Sequence, residues 1–392
     1  MIISLIKKNA NNMKTKYLIG FMIIISILFM EACSSGRKAY ERGDYVEAVS
    51  KAVDRLQRNP DHRKSREVLK KAYPQALKYY RTRVSNIKAS NQPFKDGQVL
   101  DIFILLNRMY EDIQRAPGAM AVIPNAENFF NEVRTYTPLA AEERYQAGSQ
   151  ALAANNRAAG IEAYEHFTKA QEISPGYKDV AEKLNEALDM ATLRVMVRQL
   201  APPSVNYKLS IDFFQDQVYE YLFHFSDNRF VRFMPEKDFN NAAPPDQILE
   251  IMFDDFIVGQ TNNFRDTKEY TQDSVVVATT KTREGEKNVY GTVKADFTEN
   301  RREVVSKGLL SMRVIDGYNN QVIMHDKFPG EFIWISRWAS FNGDERALSK
   351  KQIEISKQEP ISPPPPQQLF IEFCKPIYSQ FQNKVRSYYR GA

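Results

Sequence analysis

Apolar residues recur at intervals of three and four positions through the first half of the chain, as they do along one face of an α-helix. The clearest stripe is Val99, Ile102, Phe103, Leu106, Met109, Tyr110 and Ile113. The last stripe starts at Val180 and continues through Leu184, Leu188, Ala191 and Val195. This pattern predicts a domain of stacked antiparallel helices over residues 37–200.

After Pro202 and Pro203 the period changes to two, which is typical of half-buried strands. Strands are predicted at 205–211, 229–234, 247–261 and 288–297, and a β-hairpin at 309–328. Helical spacing returns at 214–225 and at 369–389. The order predicts an α+β domain with a mainly antiparallel sheet over residues 203–392. Its C-terminal helix follows a polyproline spacer at 361–368.

The N-terminal residues have the pattern of an export signal. Lys14 and Lys16 precede an apolar run of about 14 residues, too short to span a bilayer. Translation could start at Met1 or at Met13. The segment Phe29-Met30-Glu31-Ala32-Cys33 resembles the lipobox of bacterial lipoproteins, except at Glu31, where a small or apolar residue is commoner.

The lipoprotein resemblance implies a signal peptide at 1–32, cleaved between Ala32 and Cys33. Cys33 would carry the acyl chains, including palmitate, and 33–36 would form a short tether. Several chains give stable membrane anchoring where one does not. The resemblance also implies an outer-membrane location, facing either the periplasm or the exterior. An ordinary secreted protein, or one held by an uncleaved helix, remains the alternative.

Two segments of the helical half resemble tetratricopeptide (TPR) repeats. Gly43, Tyr45, Ala48 and Pro60 stand at the repeat's spacing in the first segment, and Ala163, Phe167, Ala170 and Pro175 in the second. In a TPR unit the small residue lets two helices approach closely, and the proline ends the second helix. The resemblance implies a TPR-like solenoid with a peptide-binding groove. A generic helical bundle is the alternative.

The C-terminal half is similar in element order to a small periplasmic domain. That domain is shared by the curli secretion lipoprotein CsgG, the N-terminal part of TolB and the lipoprotein LpoB, an activator of penicillin-binding proteins. The stretches DDFIVGQT and SMRVIDGYNNQVI carry the likeness. The pattern contains no invariant chemistry, and other α+β sandwiches fit it as well.

Composition and motifs argue against several classes of function. The net charge is +6, but the charges are interspersed, whereas nucleic-acid binders show a dense basic stripe. The two cysteines, Cys33 and Cys374, cannot form a metal cluster or a disulfide framework, and Cys374 is expected to be buried in the last helix. Asp254 and Asp255 should point to opposite faces of a strand, which argues against a catalytic dyad. We therefore expect no enzyme activity, metal or cofactor.

The stretch EFIWISRWASF contains the candidate interaction residues. Phe332, Trp334 and Trp338 cluster there, and Arg337 lies between the tryptophans. Aromatic residues beside arginine are common at binding hot spots. The alternative is that the tryptophans close the core of the sheet.

These observations predict a lipid-anchored adaptor that organises other envelope proteins in a secretion or assembly machine. Two alternatives stay open. One is activation of peptidoglycan synthases, by similarity to the activator lipoproteins. The other is glycan binding through the tryptophan-rich stretch.

Overall fold

A computed structural model of the chain describes residues 36–198, 208–239, 244–282 and 285–392. The chain divides into two compact units, and the boundary in the sequence falls between Ala191 and Thr192. The first unit is helical and the second contains a mixed sheet, so the predicted order of a helical domain and an α+β domain is confirmed in outline.

The helical unit contains eight described helices, whose ends follow local signals. The side chains of Asp44 and Asn156 accept hydrogen bonds from backbone N–H groups in the first turns of the second and seventh helices. The helices are α1 (Arg37–Glu41), α2 (Tyr45–Arg58), α3 (Arg63–Ala89), α4 (Lys95–Arg115), α5 (Pro117–Met120), α6 (Phe130–Leu152), α7 (Arg157–Ile173) and α8 (Val180–Ala191).

Four of the eight residues at TPR-like positions lie in the cores of this unit, whereas Gly43, Pro60 and Pro175 are exposed. Ala48 is fully buried in one core, and Ala163, Phe167 and Ala170 are fully buried in another. Close approach of α6 and α7 depends on Gly148, because a Cβ there would lie 2.9 Å from the ring of Phe167. These features fit paired helices, while membership of the TPR class stays a prediction.

In its described residues, the second unit has five strands in the order β2-β1-β3-β4-β5. Strand β1 runs parallel to both β2 and β3, whereas β3, β4 and β5 are antiparallel. The sheet is therefore mixed rather than purely antiparallel. The strands are β1 (Leu193–Val197), β2 (Val231–Pro235), β3 (Gln247–Thr282), β4 (Gly285–Asp316) and β5 (Val322–Gly343).

Two helices, α9 (Lys208–Phe223) and α11 (Pro366–Tyr389), pack on one face of this sheet. The stripe predicted for the last helix is confirmed, because its five aromatic and aliphatic members are fully buried: Phe370, Phe373, Ile377, Phe381 and Val385. The helix lies close to the sheet because Gly308 and Gly330 are opposite each other on β4 and β5. A Cβ on Gly308 would lie 2.6 Å from the ring of Phe373.

A smaller core lies near the far end of β5. A 3-10 turn at Glu345–Ala347 and the short helix α10 (Lys350–Ser356) cover the strands there. Ala347, Leu348 and partly buried Ile353 and Ile355 pack on residues of β3, β4 and β5.

Several sequence-based expectations about elements need correction. Val195 belongs to strand β1 rather than to the preceding helix, because the backbone of β1 pairs in parallel with β2 and β3. The strand expected at 205–211 is wrong from Lys208 onward, where α9 begins, and its earlier part lies outside the described residues. The spacer expected at 361–368 ends earlier, because α11 begins at Pro366. The strands expected at 247–261 and 288–297 are parts of the much longer β3 and β4.

Candidate interaction site

Strands β3 and β4 continue far beyond the part of the sheet that carries α9 and α11. Strand β3 has 36 residues, a contour length of about 120 Å at the usual rise per residue. It pairs with β1 only at Gln247–Leu249, and over the rest of its length β4 is its one neighbour among the described strands. We call residues 260–282, 285–305 and 333–343 the ribbon.

Two β-bulges separate the ribbon from the helix-covered sheet. The register of β3 against β4 shifts between Phe253 and Asp255 and again between Ile257 and Gln260. Gly259 lies within the second bulge with φ +79°, a left-handed conformation that favours glycine. Bulges bend a strand and interrupt its pairing, so they mark the point in β3 where the ribbon begins.

The face of the sheet opposite α9 and α11, here the open face, carries an exposed apolar patch at the base of the ribbon. Four of its side chains are 41–46% exposed: Ile257, Phe264, Ile333 and Ile335. Val305 is directly opposite Ile333 on the neighbouring strand and completes the patch. These residues span four successive rungs, about 20 Å along the strands. Contiguous exposed apolar surface of this kind marks interaction sites.

A depression of about 480 Å³ lies at the bulged end of the apolar patch. Ile257, Leu309 and Pro329 supply apolar walls. Lys307 and Glu331 contribute charged groups on the two neighbouring strands. The depression could accept one bulky side chain of a partner, with charged groups at its rim to orient it.

Two arginine side chains lie at the end of the patch that is farther from the depression. The guanidinium of Arg301 stacks on the ring of Phe264 with 4.5 Å between guanidinium carbon and ring centroid. Arg337 is opposite Arg301 in the register of β4 and β5. An aromatic ring and two guanidinium groups on one rung suit a partner that combines apolar and acidic groups.

The four predicted interaction residues lie in β5 and are divided between the two faces of the sheet. Side chains alternate along β5, so Phe332, Trp334 and Trp338 share one face and Arg337 lies on the other. Phe332 packs against the core under α11, and Trp334 is opposite the buried Val304. The structure thus does not bring Arg337 together with the tryptophans.

The tryptophan face is partly covered and makes its own contact with a cation. Trp334 and Trp338 are each half-buried, and the guanidinium carbon of Arg302 lies 5.4 Å from the ring centre of Trp338. The open-face patch was missed in the sequence, although the run Phe332 to Ile335 carries a signal. Four consecutive apolar residues in a strand require both faces to be apolar.

A polar row crosses the open face beside the depression. The Ser311 hydroxyl donates to Asp254 at 2.7 Å, and Lys327 donates to the same carboxylate at 2.6 Å. The lysine and the hydroxyl together lower the pKa of Asp254. A ring nitrogen of His325 lies 3.4 Å from the Ser311 oxygen. In a catalytic triad the histidine stands between serine and carboxylate, whereas here the serine stands between the other two.

The expectation that Asp254 and Asp255 point to opposite faces is wrong. The bulge places Asp255 opposite Leu309, on the same side as Ser311, which Asp254 contacts. Both carboxylates therefore lie on the open face. Asp254 is paired with Lys327, so the two acids are in different environments.

In the helical unit, a cluster of charged and aromatic residues joins α4, α6 and α7. The guanidinium carbon of Arg144 lies 3.7 Å from the ring centre of Phe94. Burial, reinforced by the positive charge of Arg144, lowers the pKa of His166. The neighbouring Glu143 accepts from the N–H groups of Asp96 and Gly97 and so caps α4. These contacts fasten helices together and leave the predicted peptide groove a prediction.

The remaining predictions concern the two cysteines, metal sites and membrane-spanning helices. Ala32 and Cys33 lie outside the described residues. Cys374 is buried as expected, and burial raises the pKa of its thiol. Within the described ranges there is no group of three or more His, Cys, Asp or Glu able to hold a metal ion. None of the described helices is both long enough and apolar enough to cross a membrane.

Comparisons with known proteins identify no family. No family model matches the chain, and no curated protein matches it. Among solved structures, a protein assigned as a homologue of the neuraminyllactose-binding hemagglutinin of Helicobacter pylori aligns with 50% of this chain and 84% of its own. The sequence identity is 11% and the TM-score is 0.23, a likeness too small to support an inference about fold or ligand.

Proposed function

We propose that this chain is a lipid-anchored adaptor of the cell envelope that holds a partner protein on the open face of its ribbon, without enzymatic activity. The observation that carries the proposal is the apolar patch with its depression. Burying four aliphatic or aromatic side chains that are now 41–46% exposed would favour association by the hydrophobic effect.

The ribbon suits an adaptor for a mechanical reason. Its patch is made of side chains on three hydrogen-bonded strands, so the binding surface is held in shape before a partner arrives. Preorganised surfaces lose little conformational entropy on binding. Anchoring through Cys33 would confine the ribbon to a thin layer beside the membrane and raise its effective concentration for other envelope proteins.

Site-specific photo-crosslinking in the native host tests this proposal. A photoreactive amino acid at Ile335 should trap one discrete partner, and the same partner should be trapped from Ile333. Val322 is a matched control, because it is an apolar residue of the same strand, is 56% exposed and lies outside the patch. Partner bands of equal intensity from Ile335 and Val322 would contradict the proposal.

The partner's identity separates the alternatives. A peptidoglycan synthase trapped from Ile335 would indicate an activator, and a subunit of another envelope machine would indicate a general adaptor. Co-sedimentation with purified sacculi, in the absence of any trapped protein, would favour glycan binding and overturn the adaptor. Labelling with an acyl-chain probe, lost on Cys33→Ala, tests the anchor separately.

A further inference from the structure

The outer edges of β3 and β5 differ in how they are protected. The edge of β5 is partly occupied, because Gln380 of α11 donates to the Pro329 carbonyl at 2.8 Å. The segment before α11 also reaches it, since the Ile361 N–H donates to the Ser336 hydroxyl at 3.2 Å. The edge of β3 has no strand beside it after Leu249 in the described part of the chain. Unpaired strand edges are templates for a further strand.

The residues along the open edge of β3 are complementary to themselves when read in the opposite direction. In an antiparallel pair of two copies centred on Thr267, Arg265 of each copy would lie opposite Glu269 of the other. Asp266 would likewise lie opposite Lys268. Each opposite-charge pair occurs twice because of the two-fold symmetry. Opposite charges directly across a strand pair stabilise it.

The complementarity extends beyond the charges. With the same centre, Phe264 lies opposite Tyr270, Asn263 opposite Thr271, and Asn262 opposite Gln272. Directly opposite residues share a face in an antiparallel pair, so the aromatic pair and the Asp266–Lys268 pair fall together on the open face. Aromatic cross-strand pairs add to stability in the same way.

Neighbouring registers are disfavoured by like charges. A shift by one residue in one direction places Arg265 opposite Lys268, and a shift in the other direction places Asp266 opposite Glu269. Moving the centre to Asp266 or to Lys268 places each of these residues opposite itself. Only the register centred on Thr267 pairs every charge with its opposite, so this stretch specifies one alignment.

The local structure of β3 suits such pairing. Between Gln260 and Gln272 its register with β4 is regular, and bulges interrupt the strand on both sides of that stretch. The residues from Asn263 to Glu269 are exposed. Asp266 and Lys268 now pair within their own strand at 2.8 Å and are about two-thirds exposed, so both can turn to a second copy.

We propose that two copies of this chain associate through their β3 edges, antiparallel and centred on Thr267, into a two-fold symmetric dimer. The occupant of the open edge is then an identical strand, and the ribbons join into one continuous sheet. This inference does not depend on the adaptor role, because the backbone edge and the charges of β3 carry it and Phe264 is the one patch residue that it uses.

A charge-swap series on the full chain in detergent tests the inference, with sedimentation velocity giving the dissociation constant. Asp266→Lys alone, or Lys268→Asp alone, replaces two attractive pairs by two repulsive ones and should raise that constant about tenfold or more. The double variant Asp266→Lys/Lys268→Asp restores opposite charges and should return it to about the wild-type value. A monomeric wild type, or a double variant no better than the single ones, would overturn the dimer.

Cysteine cross-linking tests the register. The two copies of residue 267 lie directly opposite each other, whereas the two copies of residue 271 lie eight residues apart, about 27 Å. A short thiol-reactive cross-linker should therefore join Thr267→Cys chains and leave Thr271→Cys chains unjoined, with the unsubstituted chain as the background. Equal cross-linking at the two positions would refute the register centred on Thr267.

Discussion

Adding one methyl group at Gly330 should weaken the second unit, because the backbone of α11 lies where the methyl would be. A Cβ on Gly330 would lie 2.5 Å from Ile377 Cγ1, and closer still to the carbonyl oxygen of Phe373. A carbonyl in the middle of a helix cannot move alone, so the whole of α11 must retreat. We expect Gly330→Ala to cost about 2–3 kcal/mol of unfolding free energy, as overpacked cores do.

Thermal unfolding followed by tryptophan fluorescence measures this cost. Both tryptophans of the chain, Trp334 and Trp338, are in β5, so the signal reports the second unit alone. For a unit of this size the expected fall in Tm is about 4–12 °C. Gly291→Ala is the matched control, because it is also a strand glycine but a Cβ there would meet only the exposed side chain of Val277 and no backbone atom.

A second substitution identifies the cause of the expected loss. Ile377→Ala removes both Cγ1 and Cδ1 but leaves the Phe373 carbonyl in place, so Gly330→Ala should cost about as much in the Ile377→Ala background as in the wild type. A Tm for Gly330→Ala within about 1 °C of that of Gly291→Ala would refute the steric argument. Loss of that cost in the Ile377→Ala background would show that the side chain, not the backbone, is the obstacle.

Three further predictions concern individual side chains. Hydrogen bonds from Lys178 and Tyr177 lower the pKa of Glu142 from 4.5 to about 2, so the contribution of this carboxylate to stability is present above pH 4.5 and is lost as the pH falls toward 2. The difference in urea midpoint between wild type and Glu142→Gln, measured by circular dichroism, should therefore become smaller as the pH falls over that range. A difference that stays constant would contradict this prediction. Glu143→Ala removes the acceptor for two N–H groups of α4 and should lower the free energy of unfolding in urea by about 0.5–2 kcal/mol. An unchanged urea midpoint would contradict this prediction. Cys374 should react with iodoacetamide only after unfolding, because burial raises the pKa of its thiol. Labelling of the native wild-type chain would disprove this if the same labelling were absent from Cys374→Ala.

The elements that the sequence predicts well are those that bury one face. The stripe in α11 is an example, because a helix on a sheet buries residues that are three and four positions apart. Phe370, Phe373 and Ile377 have this spacing and are fully buried. The hairpin between β4 and β5 is another. In its turn, the Asp316 side chain accepts hydrogen bonds from two backbone N–H groups. This interaction is local, so turn-forming residues in the sequence predict it.

The ribbon was predicted only in part, because long stretches of it bury neither face. Residues 262–269 of β3 are almost all polar and exposed, so they show no period-two alternation. They are a strand because their backbone groups pair with β4, which is a contact between residues distant in sequence. The same holds for the bulge at Asp254 and Asp255, which turns both side chains to one face, against the alternation of a regular strand.

Taken alone, the amino-acid sequence determined which faces of the helices are apolar, where the period changes from helix to strand, and a self-complementary order of charges around Thr267. Only the tertiary structure decided that Val195 belongs to a strand, that Arg337 and the tryptophans lie on opposite faces, and that the edge of β3 has no strand beside it among the described residues. The physical reason is that periodicity records burial, which is local to each segment, whereas strand pairing and edge exposure depend on which distant backbone lies alongside.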